Sequence, residues 1–414
     1  MNNLIQSLLK YQNNLLKSIS LNKKRFLYDD IPNNERLVGI VGLRGVGKTT
    51  ILLQKLKENK DFDKSIYFSL DNPKVSLNGL FNLVDEMYTN FGYTYFYIDE
   101  IHKYKNWNQE LKNIYDSFPG VNILFSGSSS VDIIKGTYDL SRRVLLYKLP
   151  NLSFREYLNL KYKLDLKKYS IDEIFNNPID IYKDFLKYDL AILKEFREYL
   201  INGEFPFFIG IDQINYSFKI ENIINKIIYE DIASFYQLKT QNLFIFKEII
   251  YFIINSEPGL FSYNSLSKYL SISGETLKSY IEILKEIGLI ELISFEGNIS
   301  QEIRKSKKIY FMINNLNYSE SYINSNNVGR IRETFLVKNV NYILKSGIRT
   351  NSIKYSDKGD FVITLKNSKY ILEVGGKNKT NKQIQGIANS FLVKDDISEM
   401  GNSIIPLRLF GFLY

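Results

Sequence analysis

A chain of 414 residues exceeds what one small core can organise and implies about two to four domains. Hydrophobic residues at 44% and charged residues at 24% describe a globular protein. The absence of cysteine and the single histidine, His102, exclude disulfides, thiolate zinc sites, cysteine nucleophiles, His-rich metal sites and a Ser-His-Asp triad built elsewhere.

No uninterrupted apolar run of membrane-spanning length occurs, and Met1-Asn2-Asn3-Leu4-Ile5-Gln6 lacks a basic segment followed by an apolar core. The sequence therefore predicts a cytoplasmic protein with no membrane partner. The 54 basic and 45 acidic side chains leave a net charge of +9, and residues 301–414, with 18 basic and 9 acidic, hold all of that excess. A basic C-terminal quarter fits a polyanion such as DNA, and it fits a solvated surface equally well.

Residues 1–30 read as an N-terminal helix, with Leu4, Leu8, Leu15, Leu16 and Ile19 near helical spacing, followed by Lys23-Lys24-Arg25. A turn over 29–34 leads to the strand Leu37-Val38-Gly39-Ile40-Val41. Next comes Gly42-Leu43-Arg44-Gly45-Val46-Gly47-Lys48-Thr49-Thr50, and then an amphipathic helix over 51–57. Strand, G-x-x-x-x-G-K-T turn and helix together form a polyphosphate cradle. Side-chain-free turns let backbone N–H groups face the anion at a helix N-terminus. In that cradle Lys48 reaches the β- and γ-phosphates and Thr49 puts its hydroxyl on Mg²⁺, so ATP and Mg²⁺ are the expected cofactors.

The strand 65–70 closes on Asp71-Asn72-Pro73, and a helix is expected over 77–88. The apolar run 93–98 then ends in Asp99-Glu100. About fifty residues after a P-loop, such a strand end predicts Asp99 on the Mg²⁺ water shell and Glu100 orienting and polarising the attacking water. His102 reads as a packing or surface residue, since no second His or Cys exists to share a metal, and Trp107 as a loop anchor. Another buried strand, from Val121, ends in Ser126-Gly127-Ser128-Ser129-Ser130. Ser126 is a candidate for bonding the attacking water or the γ-phosphate, and a helix N-cap is the rival role for these serines. After a further helix, Arg142-Arg143 precede the strand 144–147. An arginine here suits either an arginine finger reaching a neighbouring subunit or a surface ion pair.

The P-loop, Tyr97-Ile98-Asp99-Glu100-Ile101 with Trp107 beyond, Phe125-Ser126-Gly127-Ser128-Ser129 and Leu149-Pro150-Asn151-Leu152-Ser153-Phe154-Arg155-Glu156 together resemble the bacterial and archaeal AAA-superfamily ATPases. The resemblance implies a five-stranded parallel core with the P-loop strand flanked by the Asp-Glu and hydroxyl-ending strands. It also implies a homo-oligomer in which an arginine acts across the interface. Relatives commonly carry glycine where Arg142 stands, and Arg143 is the preferred finger. Residues 151–239, with Asn202-Gly203-Glu204-Phe205-Pro206 resembling a turn of those relatives, are read as a helical lid over the nucleotide.

Residues 240–320 carry a different pattern. Helices over 245–255, 262–270 and 274–287, a turn at Pro258-Gly259, and strands 289–293 and 308–311 around a Glu296-Gly297-Asn298 turn predict a winged helix-turn-helix. Lys278 and Lys285 in its third helix are offset by Glu275, Glu282 and Glu286, so DNA and a protein partner are equal expectations. The last segment, 321–414, places Glu333 on a helix, Asp360 before a strand and Glu373 within Tyr370-Ile371-Leu372-Glu373-Val374-Gly375-Gly376-Lys377. This resembles the PD-(D/E)xK nuclease fold, in which two carboxylates hold Mg²⁺ and a lysine polarises water. The usual lysine position is Gly375 here, so Lys377 or Lys379 would substitute, and a nuclease-derived binding domain is preferred to an active nuclease. Ordinary strand-end charges are the plainer reading of the two acids.

The expected fold is thus an α/β chain: an N-terminal helix at 1–30, a P-loop AAA-type parallel sheet core at 31–150 and a helical lid at 151–239. A winged helix at 240–320 and a small nuclease-like α/β domain at 321–414 follow. The expected function is Mg-ATP hydrolysis coupled to the C-terminal modules, acting on DNA. A nucleotide-gated switch binding a protein partner and an ATP-regulated nuclease are the rivals.

Overall fold

The computed structural model describes all residues except 1, 129–139, 257–261, 320, 323–327, 347–350, 367, 398–400 and 402. Ser129-Ser130, the helix expected after them and the Pro258-Gly259 turn therefore lie outside the described residues. The chain forms two compact units, Met1–Pro150 and Asn151–Tyr414.

The first unit runs α1 (Asn2–Ser18), β1 (Leu37–Val41), α2 (Lys48–Lys57), β2 (Ser65–Ser69), α3 (Pro73–Ser76) and α4 (Leu80–Phe91). It continues with β3 (Tyr95–Asp99), α5 (Trp107–Ser117), β4 (Asn122–Gly127) and β5 (Leu145–Lys148). The five strands are parallel in the order β2-β3-β4-β1-β5. Helices cover both faces of such a sheet, which is why β1 reads as an uninterrupted apolar run with every residue buried. This order corrects one expectation. The P-loop strand β1 is flanked by β4 and β5, and β4 separates it from the Asp-Glu strand β3.

Two local readings also change. The helix expected over 77–88 starts later, at Leu80 after Gly79, which takes a φ of 75°, and the separate short helix α3 precedes it. Trp107 is no loop anchor. It opens α5, is buried, and its ring lies 6.1 Å from that of Phe125.

Helix α1 closes the β2 edge of the sheet. Its Ile5 and Leu8 join the core with Phe68 and Phe96, and the buried Gln12 Oε1 accepts from the Tyr67 N–H at 2.7 Å. An edge strand's exposed donors are a pairing hazard, and Gln12 occupies one of them.

The second unit opens with α6 (Phe154–Tyr162), α7 (Ile171–Asn176), α8 (Pro178–Leu186), α9 (Ile192–Asn202) and α10 (Gln213–Lys226). A π-helical turn (Ile227–Ile232) and α11 (Ala233–Tyr236) follow. Then come α12 (Thr240–Asn255), α13 (Tyr263–Tyr269), α14 (Gly274–Glu286) and the antiparallel pair β6 (Ile290–Ile293) and β7 (Lys308–Phe311). The expected turn at Glu296-Gly297-Asn298 is instead a helix entrance: Asn298 and Gln301 form a capping box that opens α15 (Ile299–Arg304).

Helix α16 (Val328–Ser346) leads into a mixed sheet of β8 (Ser352–Tyr355), β9 (Phe361–Leu365), β10 (Ser368–Gly375), β11 (Ser390–Lys394) and β12 (Ile404–Pro406). Its order is β12-β11-β10-β9-β8, antiparallel from β8 to β10 and parallel from β10 to β12. The stretches of this unit share a core. Phe154 meets Phe196 at 5.1 Å and Phe412 at 5.7 Å, and Ser153 Oγ donates to the Tyr414 carbonyl at 2.8 Å. A buried ion pair, Lys338 to Glu204 at 2.5 Å, joins α16 to the loop after α9.

Candidate functional site

The P-loop spans Gly42–Gly47 between β1 and α2. Gly47 takes a φ of 102° at the N-cap of α2, a conformation that glycine enters without strain. Gly42 has no room for a side chain, since a Cβ there would lie 2.3 Å from the Leu149 carbonyl oxygen. The start of α2 is thereby pressed against the sheet end, with the first N–H groups of the helix turned outward. Lys48 is buried and donates to the Gly42 and Leu43 carbonyls at 2.9 and 3.0 Å. A terminal phosphate entering the loop would replace those two acceptors.

Asp99 is the hub of the site. It is buried at the end of β3, and its Oδ2 accepts from Thr49 Oγ1 at 2.7 Å and from the Tyr67 hydroxyl at 2.9 Å. Its Oδ1 accepts from Ser126 Oγ and, at 3.1 Å, from the Glu100 N–H. Ser126 has no exposed surface, and its Oγ also takes the Glu100 N–H at 3.2 Å. The structure therefore sets Ser126 on the Asp99 carboxylate and the Glu100 main chain. Burial first, and Asp99 second, push the Tyr67 phenol far above its usual range, so it remains a neutral donor.

Glu100 follows Asp99 with a φ of 51°, a region that non-glycine residues enter only under constraint. Its Oε2 lies 3.3 Å from His102 Nε2, and His102 Nδ1 accepts from the Ser128 N–H at 3.2 Å. Tyr67 and His102 belong to the site and were not singled out for it in sequence. For Tyr67 the sequence carried no signal, since its reach to Asp99 depends on β2 pairing with β3. Arg25 is a third such residue. It is buried, donates to the Val46 carbonyl of the P-loop and reaches the Pro150 carbonyl at 2.9 Å.

Arg143 forms a two-point pair with Asp116 on α5, at 2.9 and 3.1 Å, beside the Tyr115 ring. Arg142 is exposed.

The donors around Thr49 and Asp99 are all oxygen, the set that suits Mg²⁺, which keeps several waters and binds through few protein ligands plus phosphates. These residues fit the ion that the P-loop implies.

A second acidic cluster lies in the other unit. Glu373 has no exposed surface, and its Oε1 stands 2.6 Å from Lys379 Nζ. Asp360 Oδ2 accepts from the Val374 N–H at 2.7 Å, and Glu333 Oε2 accepts from the Tyr310 hydroxyl at 2.6 Å. Burial raises the Glu333 and Glu373 carboxyls above their ordinary values. Lys308 and Lys379 respectively oppose that shift, and Asp360 adds to it. Lys377 is exposed, and its carbonyl accepts from Lys394 Nζ at 2.9 Å. Lys379, two residues on, supplies the ammonium at Glu373. Among the described residues no three or more Asp, Glu or His side chains gather tightly enough to hold a metal ion. Of the two lysines expected to substitute, Lys379 is the one that meets Glu373.

Residues 34–158 match the family model of an AAA domain, and residues 193–313 match that of a domain of unknown function (DUF8612). Uncharacterized protein MJ1637 of Methanocaldococcus jannaschii is 27% identical over 96% of this chain and 91% of its own length. Among solved structures, AMPPCP-bound DnaA from Aquifex aeolicus is 15% identical, with 67% of this chain and 87% of that chain covered and a TM-score of 0.28. The S. cerevisiae Hsp104-ADP complex is 15% identical, with 67% of this chain and 39% of that chain covered and a TM-score of 0.26. No functional reading rests on the two structural likenesses. The family match and the five-stranded parallel core identify the first unit's fold as an AAA-type P-loop ATPase domain.

Proposed function

We propose that the chain hydrolyses Mg-ATP at this P-loop and couples turnover to its second unit, which acts on DNA. The observation that carries the reading is the 2.7 Å contact between Thr49 and Asp99. It joins the last P-loop hydroxyl to the acid of β3 across the intervening strand β4, with Lys48 and Glu100 on either side.

In this reading Mg²⁺ supplies charge neutralisation at the β- and γ-phosphate oxygens. The loop N–H groups and Lys48 hold the phosphates, Thr49 and Asp99 orient the ion's water shell, and Glu100 takes the proton of the attacking water. Arg143 in this scheme leaves Asp116 for the nucleotide of a neighbouring copy. An exposed pair of that kind is worth about 0–1 kcal/mol, so the exchange costs little.

For the second unit, the net-basic residues 301–414 support a polyanion partner. Helices α13 and α14 with the β6–β7 pair support a winged-helix reading. The glycine at the usual lysine position, Gly375, favours a nucleic-acid-binding module over a metal-dependent nuclease. The experiment is ATP turnover with and without single- and double-stranded DNA across a salt series. DNA stimulation that declines with salt supports the reading, and tight nucleotide retention with no DNA response would replace it with a protein-binding switch. Metal-dependent nicking of a supercoiled plasmid would restore the nuclease.

A further inference from the structure

Three groups, Ser126 on β4 and Asp99 and His102 at the end of β3 and just beyond it, meet Glu100. Ser126 Oγ takes its N–H at 3.2 Å, Asp99 takes the same N–H at 3.1 Å, and the side chain meets His102 at 3.3 Å. His102 is in turn fixed from the far side, because its Nδ1 accepts the Ser128 N–H at 3.2 Å. A nitrogen that accepts a backbone N–H carries no proton, so the ring is neutral with its hydrogen on Nε2, facing the Glu100 carboxylate.

The imidazole side chain is 2% exposed and the Glu100 side chain 25% exposed, while Glu100 Oε2 and His102 Nε2 are both buried and their 3.3 Å approach falls short of hydrogen-bond geometry. The oxygen facing His102 is thus the inner one. Glu100 also holds a left-handed backbone, with a φ of 51°. The surrounding contacts must over-determine such a conformation for it to persist.

We infer that His102 is the positioning residue of hydrolysis: its neutral imidazole ties the Glu100 carboxylate to the Ser128 backbone, and so to the end of β4. Strand β4 pairs directly with the P-loop strand, Val41 opposite Gly127. A shift of the β4 end on nucleotide binding is thereby passed to both the main chain and the carboxylate of Glu100. The inference rests on the reading of Glu100 as the base.

The test uses the full chain and three variants, His102→Ala, His102→Gln and Glu100→Gln, with steady-state ATP turnover and nucleotide Kd measured for each. A glutamine amide accepts with its oxygen and donates with its nitrogen at nearly the imidazole spacing, so it keeps the acceptor for the Ser128 N–H and a donor toward Glu100. Loss of an outer-shell partner of this kind costs about 10- to 100-fold in activity. His102→Ala is expected to lower kcat by that factor with Kd unchanged, and His102→Gln to recover most of it. A wild-type kcat in His102→Ala beside an inactive Glu100→Gln overturns the inference and leaves the ATPase reading intact. Equal losses in both His102 variants, or nucleotide binding lost in step with kcat, also overturn it, since either outcome marks His102 as packing. Normal turnover in Glu100→Gln removes the base assignment itself.

A second readout needs no turnover. His102 is the only histidine, so histidine-selective ¹⁵N labelling reports one imidazole. A neutral ring protonated on Nε2, with a signal displaced by Glu100→Gln, is the expected spectrum. An Nδ1-protonated or doubly protonated ring, or a signal indifferent to Glu100→Gln, refutes it.

Discussion

Tyr67→Phe isolates one hydrogen bond at the hub of the site. The ring is buried in the core that α1 and α2 share, and only its hydroxyl touches Asp99 Oδ2, at 2.9 Å. That oxygen is also bonded to Thr49. When Thr49 turns to the ion, Tyr67 is the side-chain donor that remains on it among the described residues. A hydrogen bond to a charged acceptor is worth about 1.5–3 kcal/mol, and about 1.4 kcal/mol is tenfold in affinity. The variant should therefore lose roughly 10- to 100-fold of the affinity that Mg²⁺ adds to nucleotide binding. The assay is titration with a fluorescent ATP analogue, with Mg²⁺ and with EDTA. The EDTA value should stay unchanged, because the P-loop amides and Lys48 do not depend on Tyr67. An undiminished Mg²⁺ effect would refute the role given to Asp99. An EDTA affinity that falls in parallel would show that the hydroxyl supports the loop's packing instead.

Lys48→Ala should abolish nucleotide binding, and Glu100→Gln should keep binding while losing turnover, with equilibrium titration and steady-state hydrolysis separating the two. Arg143→Ala mixed with Glu100→Gln should recover part of the lost activity if the arginine acts across subunits, and no recovery in demonstrated mixed oligomers would leave it an intramolecular partner of Asp116. Lys338→Met should destabilise the second unit by about 3–5 kcal/mol in urea unfolding, since it leaves Glu204 buried and charged. Glu333 is raised from its usual value of 4.5 by burial, so the folded chain holds that proton more tightly than the unfolded one. The stability of the wild type relative to Glu333→Gln should then be greatest below pH 4.5 and fall as pH rises through the raised value, and a flat difference across that range would place the acid in solvent.

The P-loop was legible because its chemistry demands contiguous residues. Glycines, lysine and threonine must follow one another in a single turn, so composition and spacing carry the whole message. The strand order was not legible. Each parallel strand is a run of buried apolar residues, and nothing in such a run says which neighbour it takes. Only the assembled sheet shows β4 between β1 and β3. That placement changes the reading of three side chains at once. It brings Ser126 onto Asp99, and it sets the Ser128 N–H against the ring of His102. With β2 on the far side of β3, it also leaves Tyr67 to reach the same acid from the other flank. None of these pairings is local, so a lone histidine and a strand tyrosine look like packing until the sheet is closed. The C-terminal acids show the converse. Asp360 and Glu373 lie at a spacing that a hairpin can bring together, but spacing left open which lysine joins them, and it is the crossover after β10 that returns Lys379 to Glu373.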